Sequence, residues 1–195
     1  MKIFITGSEG FIGTHLKKKL LEVEYEVMGF DNLCHSCRFR EGEFILADIK
    51  QIWDYANVIK DYDCIIHLAA QINVEQSLID PKNTVLTNTL GTLEVLETAR
   101  KLDKKVIFAS TTEIYGDMNG EKINEIHPTN PKSPYAASKL GADGLCKTYF
   151  HSYGTKVSIV RNFNTFGKYQ GDDKFGAVIA KFADRLISNK SPLIF

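Results

Sequence analysis

Apolar residues recur along the chain in short runs that are separated by longer segments with helical spacing. Six of these runs predict β-strands, at 2–6, 26–30, 43–46, 64–68, 105–110 and 156–161. Between most of them lie helix-length segments, at about 14–18, 52–60, 84–101 and 134–152. Strands that alternate with helices predict a parallel sheet covered on both faces, which is the doubly wound α/β (Rossmann) class.

The same pattern divides the chain unequally. Residues 1–165 contain no internal repeat and no Pro-rich or Gly-rich linker, and they read as one domain. A polar, turn-rich segment follows, then a helix-like segment at about 175–187, and then an apolar run at 192–195 that looks like the start of a strand. We therefore predict a Rossmann domain over 1–165 and only the beginning of a second, C-terminal lobe over 166–195.

A glycine-rich turn with the sequence TGSEGFIG directly follows the first predicted strand. Glycines at this spacing let backbone N–H groups approach phosphates, and the helix that starts there adds the positive end of its dipole. The turn therefore predicts a dinucleotide held by its pyrophosphate. The residues expected to hold it are Gly7, Gly10, Phe11, Ile12 and Gly13.

The second predicted strand leads into Asp31, eighteen residues after Gly13. A carboxylate at this place can accept hydrogen bonds from both hydroxyls of the adenosine ribose, and it repels a 2′-phosphate. The turn, the helix, the strand and the acid together predict NAD rather than NADP as the cofactor.

Composition narrows the class of protein. The chain has 195 residues, and 24 Lys and Arg balance 24 Asp and Glu. Because no basic stripe is interleaved with aromatic residues, nucleic acid is not expected as a partner. No signal peptide and no membrane-length apolar run is visible in the sequence, so we expect a cytoplasmic protein with no membrane partner.

The four cysteines are too few and too irregularly spaced for a disulfide framework. Cys34-His35-Ser36-Cys37 could supply three zinc ligands, but no second ligand pair follows at a plausible distance. We interpret this segment as an exposed loop and predict no metal site.

Tyr135 and Lys139 form the strongest candidate for chemistry. Residues four apart share one face of a helix, and Pro134 favours a helix that begins at Tyr135. A cation beside a phenol favours the phenolate, so we expect Lys139 and a positively charged nicotinamide together to lower the pKa of Tyr135, which could then take a proton from a sugar hydroxyl. Hydroxyl side chains at 110–112 follow the fifth predicted strand, and they would lie in the same crevice.

These separated motifs resemble the extended short-chain dehydrogenase/reductase family, in its NAD-dependent nucleotide-sugar epimerase/dehydratase branch. The resemblance runs from Lys2 to Phe195. It implies that Thr111, Tyr135 and Lys139 are catalytic, that Tyr135 and Lys139 also contact the cofactor, and that Thr111 contacts the substrate. It further implies cofactor contacts at Asn32, Asp48, Ile49, Leu68, Ala69, Ala70, Asn88 and Phe163, and substrate contacts at Thr112 and Asn164.

The resemblance leaves the reaction open. The family's first step oxidises the sugar, usually at C4, and return of the hydride to the other face gives a 4-epimer. Loss of water needs an acid and a base, which the glucose dehydratases place directly after the catalytic Thr. Here those places hold Thr112 and Glu113, so the acid is missing and the base is retained as a fourth catalytic candidate. We favour 4-epimerisation slightly, since residues 71–81 resemble the corresponding loop of epimerases and decarboxylases; a 4,6-dehydratase or a UDP-glucuronate decarboxylase is the alternative.

A second class of function is a truncated NAD-binding module without full activity, because family members are considerably longer than this chain. The resemblance also implies a nucleotide-diphosphate sugar as the partner in catalysis and a homodimer built on the helices near 84–101 and 134–152. Leu86, Leu90 and Leu93 form an apolar stripe on the first of these helices, but a stripe at this spacing usually faces its own sheet.

Overall fold

A computed structural model describes residues 1–34, 42–117, 120, 122–170 and 178–192. Within these residues, six parallel strands form one sheet in the order β3-β2-β1-β4-β5-β6. The order reverses next to β1, so the fold is a doubly wound Rossmann sheet, as predicted. The strands are β1 (Lys2–Thr6), β2 (Glu26–Asp31), β3 (Phe44–Leu46), β4 (Cys64–His67), β5 (Lys105–Thr111) and β6 (Val157–Asn162).

Helices connect the strands and cover the sheet. They are α1 (Phe11–Glu22), α2 (Ala56–Ile59), α3 (Val74–Ile79), α4 (Pro81–Val85), α5 (Gly91–Lys101), α6 (Pro134–Tyr153) and α7 (Val178–Ile187). Short 3₁₀ segments cover Ile49–Tyr55 and Thr112–Tyr115, and a single π-helical turn, Leu86–Leu90, joins α4 to α5.

Two helix predictions need correction. Helix α1 is more than twice as long as the 14–18 segment, because it begins directly at the glycine turn. Residues 71–81, interpreted as a loop, contain α3. The Asn73 side chain starts that helix by accepting a hydrogen bond from the Gln76 N–H at 2.7 Å, which satisfies one of the N–H groups that have no partner inside the helix.

The larger apolar cluster lies between the sheet and helices α5 and α6. Its fully buried members include Phe4 and Phe30 from the strands and Leu96 from α5. A smaller cluster packs Ile3 and Ile5 against α1 on the opposite face. Burial on both faces explains why the central strands are continuously apolar instead of alternating.

The described part beyond residue 165 buries much less. Helix α7 has no buried residue, and Leu186 and Ile187 are 60% and 84% exposed. The division into domains at 165/166 stays a prediction. No helix of the described residues is long and apolar enough to cross a membrane.

Candidate active site

The glycine turn is packed so closely against the sheet that side chains are excluded at two positions. Gly7 has φ +71°, and a Cβ there would lie 2.6 Å from the Ala69 nitrogen. A Cβ on Gly13 would lie 2.2 Å from the Gly7 carbonyl oxygen. The Gly7 N–H donates to the Phe30 carbonyl at 2.8 Å, which fixes the turn over the end of β2. Glycine is required at these two positions because the turn lies directly against the segment that follows β4 and against the first turn of α1.

The outer side of the same turn fits an anionic group. Helix α1 begins at Phe11, and among the described residues no side chain caps its N-terminus and no acid lies in its first turn. A Cβ on Gly10 would meet only the Gly7 carbonyl oxygen within 4 Å, at 3.4 Å, so the space above the turn is open. The N–H groups at Phe11, Ile12 and Gly13 are therefore placed as the diphosphate of a dinucleotide requires.

Asp31 lies at the end of β2 beside this turn. Its Oδ2 accepts a hydrogen bond from the Glu9 N–H at 3.0 Å, and its Oδ1 accepts one from the Leu33 N–H at 2.7 Å. These bonds hold the carboxylate in place beside the glycine turn. Asn32 faces its own loop, since its Oδ1 accepts from the Cys34 N–H at 3.1 Å.

Residues 35–37 of the Cys34–Cys37 segment lie outside the described residues. In the part of the chain that is described, no group of three or more His, Cys, Asp or Glu could hold a metal ion.

Asp48 and Ile49 follow β3 and play different structural parts. The Asp48 carboxylate caps the following 3₁₀ segment by accepting a hydrogen bond from the Lys50 N–H at 3.0 Å. The Ile49 side chain is buried and packs where a Cβ on Gly91 would lie, 2.8 Å from the Ile49 Cγ2. Only Asp48 of this pair keeps a half-exposed side chain.

His67, at the end of β4, is a packed histidine. Its Nδ1 lies 2.7 Å from Thr6 Oγ1, and its Nε2 lies 3.0 Å from Thr92 Oγ1. Burial, together with the nearby Lys139 charge, lowers the pKa of His67 to about 3, so the ring is neutral at physiological pH. The half-buried run Leu68–Ala70 that follows lies against Gly7 through Leu68 and Ala69.

Asn88 lies in the π-helical turn, a feature that is often associated with functional sites. Its Oδ1 accepts from the Gln71 N–H at 2.7 Å, and its Nδ2 donates to the Gln71 carbonyl and to Ser138 Oγ, both at 2.9 Å. The amide is 1% exposed. In this structure Asn88 therefore ties the segment after β4 to helix α6.

Thr111 and Tyr135 meet at the carboxyl edge of the sheet. Thr111 ends β5, and its hydroxyl opposes the rise that burial causes in the pKa of the Tyr135 phenol. Tyr135 lies in the first turn of α6, which Ser133 caps by accepting from the Ala136 N–H at 3.1 Å. Lys139 is one turn further along, 4% exposed, with its Nζ 4.3 Å from the centroid of the Phe108 ring.

Lys139 alone does not lower the pKa of Tyr135 in this structure. Burial raises the pKa of Tyr135, and the Glu113 charge raises it further, against the opposing effect of Thr111. Burial also lowers the pKa of Lys139, to about 8. Spacing by four places both residues on one helix face, but it does not fix where a long side chain ends, and the Lys139 ammonium lies over the Phe108 ring.

The remaining predicted residues surround this pair. Glu113 is exposed in the 3₁₀ segment after β5, and Thr112 Oγ1 donates to the Asn162 carbonyl at 3.3 Å. Phe163 and Asn164 follow β6 and are both exposed. The loop that they begin returns to α1, where His15 Nε2 lies 2.6 Å from the Lys168 carbonyl oxygen.

Comparison with known proteins decides the family. The family model described as "NAD dependent epimerase/dehydratase family" matches residues 3–195. The chain belongs to this epimerase/dehydratase family. NAD, which the glycine turn and Asp31 predict, is the cofactor of the family.

Its relatives in the family differ in reaction. The chain is 40% identical over 200 residues to a putative UDP-glucose 4-epimerase of Methanocaldococcus jannaschii, covering 99% of this chain and 65% of the relative. It is 29% identical over 208 residues to a dTDP-glucose 4,6-dehydratase of Mycobacterium tuberculosis, covering 100% and 62%. Thus the chain spans somewhat less than two thirds of the length of these relatives.

A solved member of the family has the same fold. The UDP-glucose 4-epimerase of Thermus thermophilus, solved as a complex with NAD, superposes with a TM-score of 0.90 at 34% identity, covering 97% of this chain and 64% of that one.

Four residues that hold the elements of this candidate site together were not predicted from the sequence. Gln71 and Ser138 are the partners of Asn88, and no sequence signal identified them. Asp143 and Arg161 form a buried ion pair behind Lys139. The position of Asp143, four residues after Lys139 on α6, was a signal that could have been used.

Proposed function

We propose that the chain is the cofactor-binding and catalytic part of an NAD-dependent nucleotide-sugar 4-epimerase. The observation that carries the proposal is that Thr111, at the end of β5, and Tyr135, at the start of α6, lie on the same sheet edge as the glycine turn and Asp31, with the buried Lys139 one helical turn after Tyr135. In open α/β sheets this edge is where ligands bind. The partner in catalysis is a nucleotide-diphosphate sugar, and the similarity to a putative UDP-glucose 4-epimerase supports a uridine nucleotide.

Each residue of the site has a separate task. The uncapped first turn of α1 binds the diphosphate of NAD, and the fixed Asp31 carboxylate accepts from the adenosine ribose. NAD, when bound, supplies a hydride acceptor and, once reduced, a hydride donor. Tyr135 takes the proton from the C4 hydroxyl of the sugar and later returns it, and Thr111 donates a hydrogen bond that steadies the oxygen.

The charge of Lys139 supports that proton transfer. Tyr135 can take the C4 proton only as the phenolate, whereas burial raises the pKa of the phenol, so a positive charge must favour loss of the phenol proton to solvent before the sugar is oxidised. The Lys139 ammonium is the cation on the same helix face that can stabilise a developing phenolate. This task requires Lys139 to carry its proton, which its lowered pKa of about 8 permits at neutral pH.

Epimerisation is favoured over dehydration by Thr112. Dehydration across C5 and C6 needs an acid as well as a base. A threonine stands where the glucose dehydratases are expected to have the acid, and its hydroxyl donates to the Asn162 carbonyl. Glu113 keeps a second candidate function, a 4,6-dehydratase or a decarboxylase, since its side chain is exposed and its charge acts on Tyr135.

Product mass separates these reactions. The complete protein is incubated with UDP- and GDP-hexoses, and the products are identified by mass and by chromatography. We expect a product of unchanged mass and inverted C4. A stable 4-keto-6-deoxy product that has lost one water would contradict the epimerase. Binding of NAD without turnover would favour the third candidate, an NAD-binding module, in line with the partial coverage of the longer relatives.

A homodimer is part of the proposal. The buried positions of the α4–α5 segment include polar residues, Thr84, Asn88 and Thr92, as well as apolar ones, Val95, Leu96 and Ala99. Of the predicted leucine stripe, Leu93 packs against the core. Leu90 is 43% exposed, and Phe150 and Tyr153 of α6 are 54% and 58% exposed. Sedimentation of the wild type and of Leu90→Glu tests the dimer; an unchanged mass in both, equal to that of one chain, would contradict it.

A further inference from the structure

Behind the catalytic pair lies a buried carboxylate, that of Asp143. The side chain has no exposed surface, and four hydrogen bonds satisfy it. Its Oδ2 accepts from Arg161 Nε at 3.0 Å and from Ser110 Oγ at 3.2 Å. Its Oδ1 accepts from Arg161 Nη2 at 3.1 Å and from Lys147 Nζ at 3.0 Å. A carboxylate with this set of donors stays ionised, and Arg161 and Lys147 hold the pKa of Asp143 below its usual value.

The Asp143 cluster connects the elements that carry the active site. Asp143 lies on α6, Ser110 directly precedes Thr111 on β5, and Arg161 lies on β6. Arg161 Nη1 also donates to Tyr115 Oη at 2.6 Å and to the Glu125 carbonyl at 2.8 Å. One ionised group therefore anchors the catalytic helix to two strands and, through Arg161, to the segment that follows Glu113.

Asp143 also lies one helical turn after Lys139, on the same face. The groups that act on Lys139 are the Phe108 ring from β5, neutral His67 from β4, and Asp143 and Cys146 from α6 itself. In the described part of the chain, no carboxylate lies within ion-pairing distance of the Lys139 Nζ. Asp143 thus provides the negative charge on this side of Lys139, at longer range.

We propose that Asp143 is a positioning residue for Lys139, whose buried carboxylate anchors the catalytic helix and keeps Lys139 in its ammonium form. The role of Asp143 in catalysis rests on the proposed function, whereas its effect on the protonation of Lys139 does not. Burial drives Lys139 toward the neutral amine, and the Asp143 charge opposes burial by raising the pKa of Lys139. Without that charge, Arg161 and Lys147 would be left without their carboxylate partner, and the cluster one helical turn after Lys139 would carry only positive charge.

The test follows the protonation of Lys139 by NMR. The protein is labelled with ε-¹³C lysine, the Lys139 signal is assigned by its loss in Lys139→Arg, and the signal is titrated at low ionic strength. Asp143→Asn keeps the shape of the side chain and removes its charge. We expect the pKa of Lys139 in this variant to fall by about one pH unit or more. A folded Asp143→Asn protein with the wild-type titration would overturn the proposal.

A second variant keeps the proposal testable should Asp143→Asn not fold. Lys147 is 54% exposed, so Lys147→Met removes a positive charge beside Asp143 without leaving a cavity. We expect the pKa of Lys139 to rise by a few tenths of a pH unit, opposite in direction to Asp143→Asn. The matched control is Lys181→Met on α7, an exposed lysine on another element, which should change nothing. No change in Lys147→Met relative to this control would overturn the proposal.

Kinetics then separate this proposal from the proposed function. The alkaline limb of kcat/KM should move with the Lys139 titration, downward in Asp143→Asn, whereas a purely structural anchor would lower the melting temperature and leave the limb in place. If the protein turns over no nucleotide sugar, the proposed function fails, and the NMR titration still decides the role of Asp143.

Discussion

Two of the lysines that the structure describes are buried, and their surroundings are opposite. Lys17, on α1 behind the glycine turn, is 1% exposed, and its Nζ contacts Glu9 Oε1 directly. Lys139, on α6, is 4% exposed and has an aromatic ring as its near neighbour in place of a carboxylate. Both charges are shielded from water, yet only the first is neutralised by contact.

The difference shows what each charge is for. A buried ion pair in contact holds its partners in place, and loss of either partner leaves an uncompensated charge. The Glu9–Lys17 pair therefore supports the turn whose Glu9 N–H fixes Asp31. A buried ammonium without a contact partner costs stability, and it is kept where a charge is needed for chemistry. Lys139 fits this second description.

The largest expected effect comes from Lys139→Met. We expect turnover by the complete protein to fall by about 10²- to 10⁴-fold, the range typical of a lost proton-transfer group. Stability at pH 7 should not fall, because an unpaired buried charge is replaced by an apolar chain. Steady-state kinetics and urea unfolding measure the two effects. A destabilised variant with near-normal turnover would reverse our assignment of the two lysines.

Lys17→Met should have the opposite profile. We expect the free energy of unfolding to fall by about 3–5 kcal/mol, since Glu9 would remain buried as an unpaired carboxylate. The control is Glu9→Gln/Lys17→Met, in which both charges are removed and most of the stability should return. Urea unfolding of the three proteins measures this, and a single variant as stable as wild type would contradict a structural role for the pair.

Alkaline pH should stabilise the wild type relative to Lys139→Met. The folded-state pKa of Lys139 is about 8 and the ordinary value is 10.5, so between these values the unfolded chain binds more protons than the folded one. The burial penalty is complete below about pH 8 and disappears as the pH rises toward 10.5. We expect a relative gain of about 3 kcal/mol across this window. The free energy of unfolding of both proteins is measured as a function of pH. If the difference between them stays constant from pH 8 to 10.5, Lys139 is not desolvated.

The smallest effect should be seen at His67. The Lys139 charge is one of two causes of its low pKa, and burial is the larger. In Lys139→Met we therefore expect the pKa of His67 to rise from about 3 and to stay below 6.5. An NMR titration of the imidazole Cε1–H measures this pKa. If the pKa of His67 is the same in both proteins, the Lys139 charge lies further from β4 than the structure shows.

Much of the fold follows from local pattern. Buried parallel strands are continuous apolar runs, so all six strands were predicted, and the doubly wound class is confirmed. The cofactor prediction also depends on residues close in sequence. It rests on glycines at which any side chain would clash and on an acid at the end of β2. Such features depend on residues close in sequence, which is why a single chain reveals them.

The parts that failed depend on distant contacts. A helix stripe shows which residues share a face, but it does not show that the part of this segment around Asn88 buries polar side chains, where Asn88 bonds to Gln71 and Ser138. The sign of the Tyr135 pKa depends on burial by elements far along the chain. The buried contact between Glu9 and Lys17 was not predicted, because it forms only when the turn and α1 pack together.

One measurement tests the central claim most directly, namely that this cleft oxidises a sugar at C4 and returns the hydride to it. The complete protein is incubated with UDP-glucose carrying deuterium at C4, and the product is examined by mass spectrometry and NMR. We predict the 4-epimer with the deuterium retained at C4, because the same hydride leaves and returns within one closed site. A product that has lost water, or a 4-epimer that has lost its deuterium, would contradict the account.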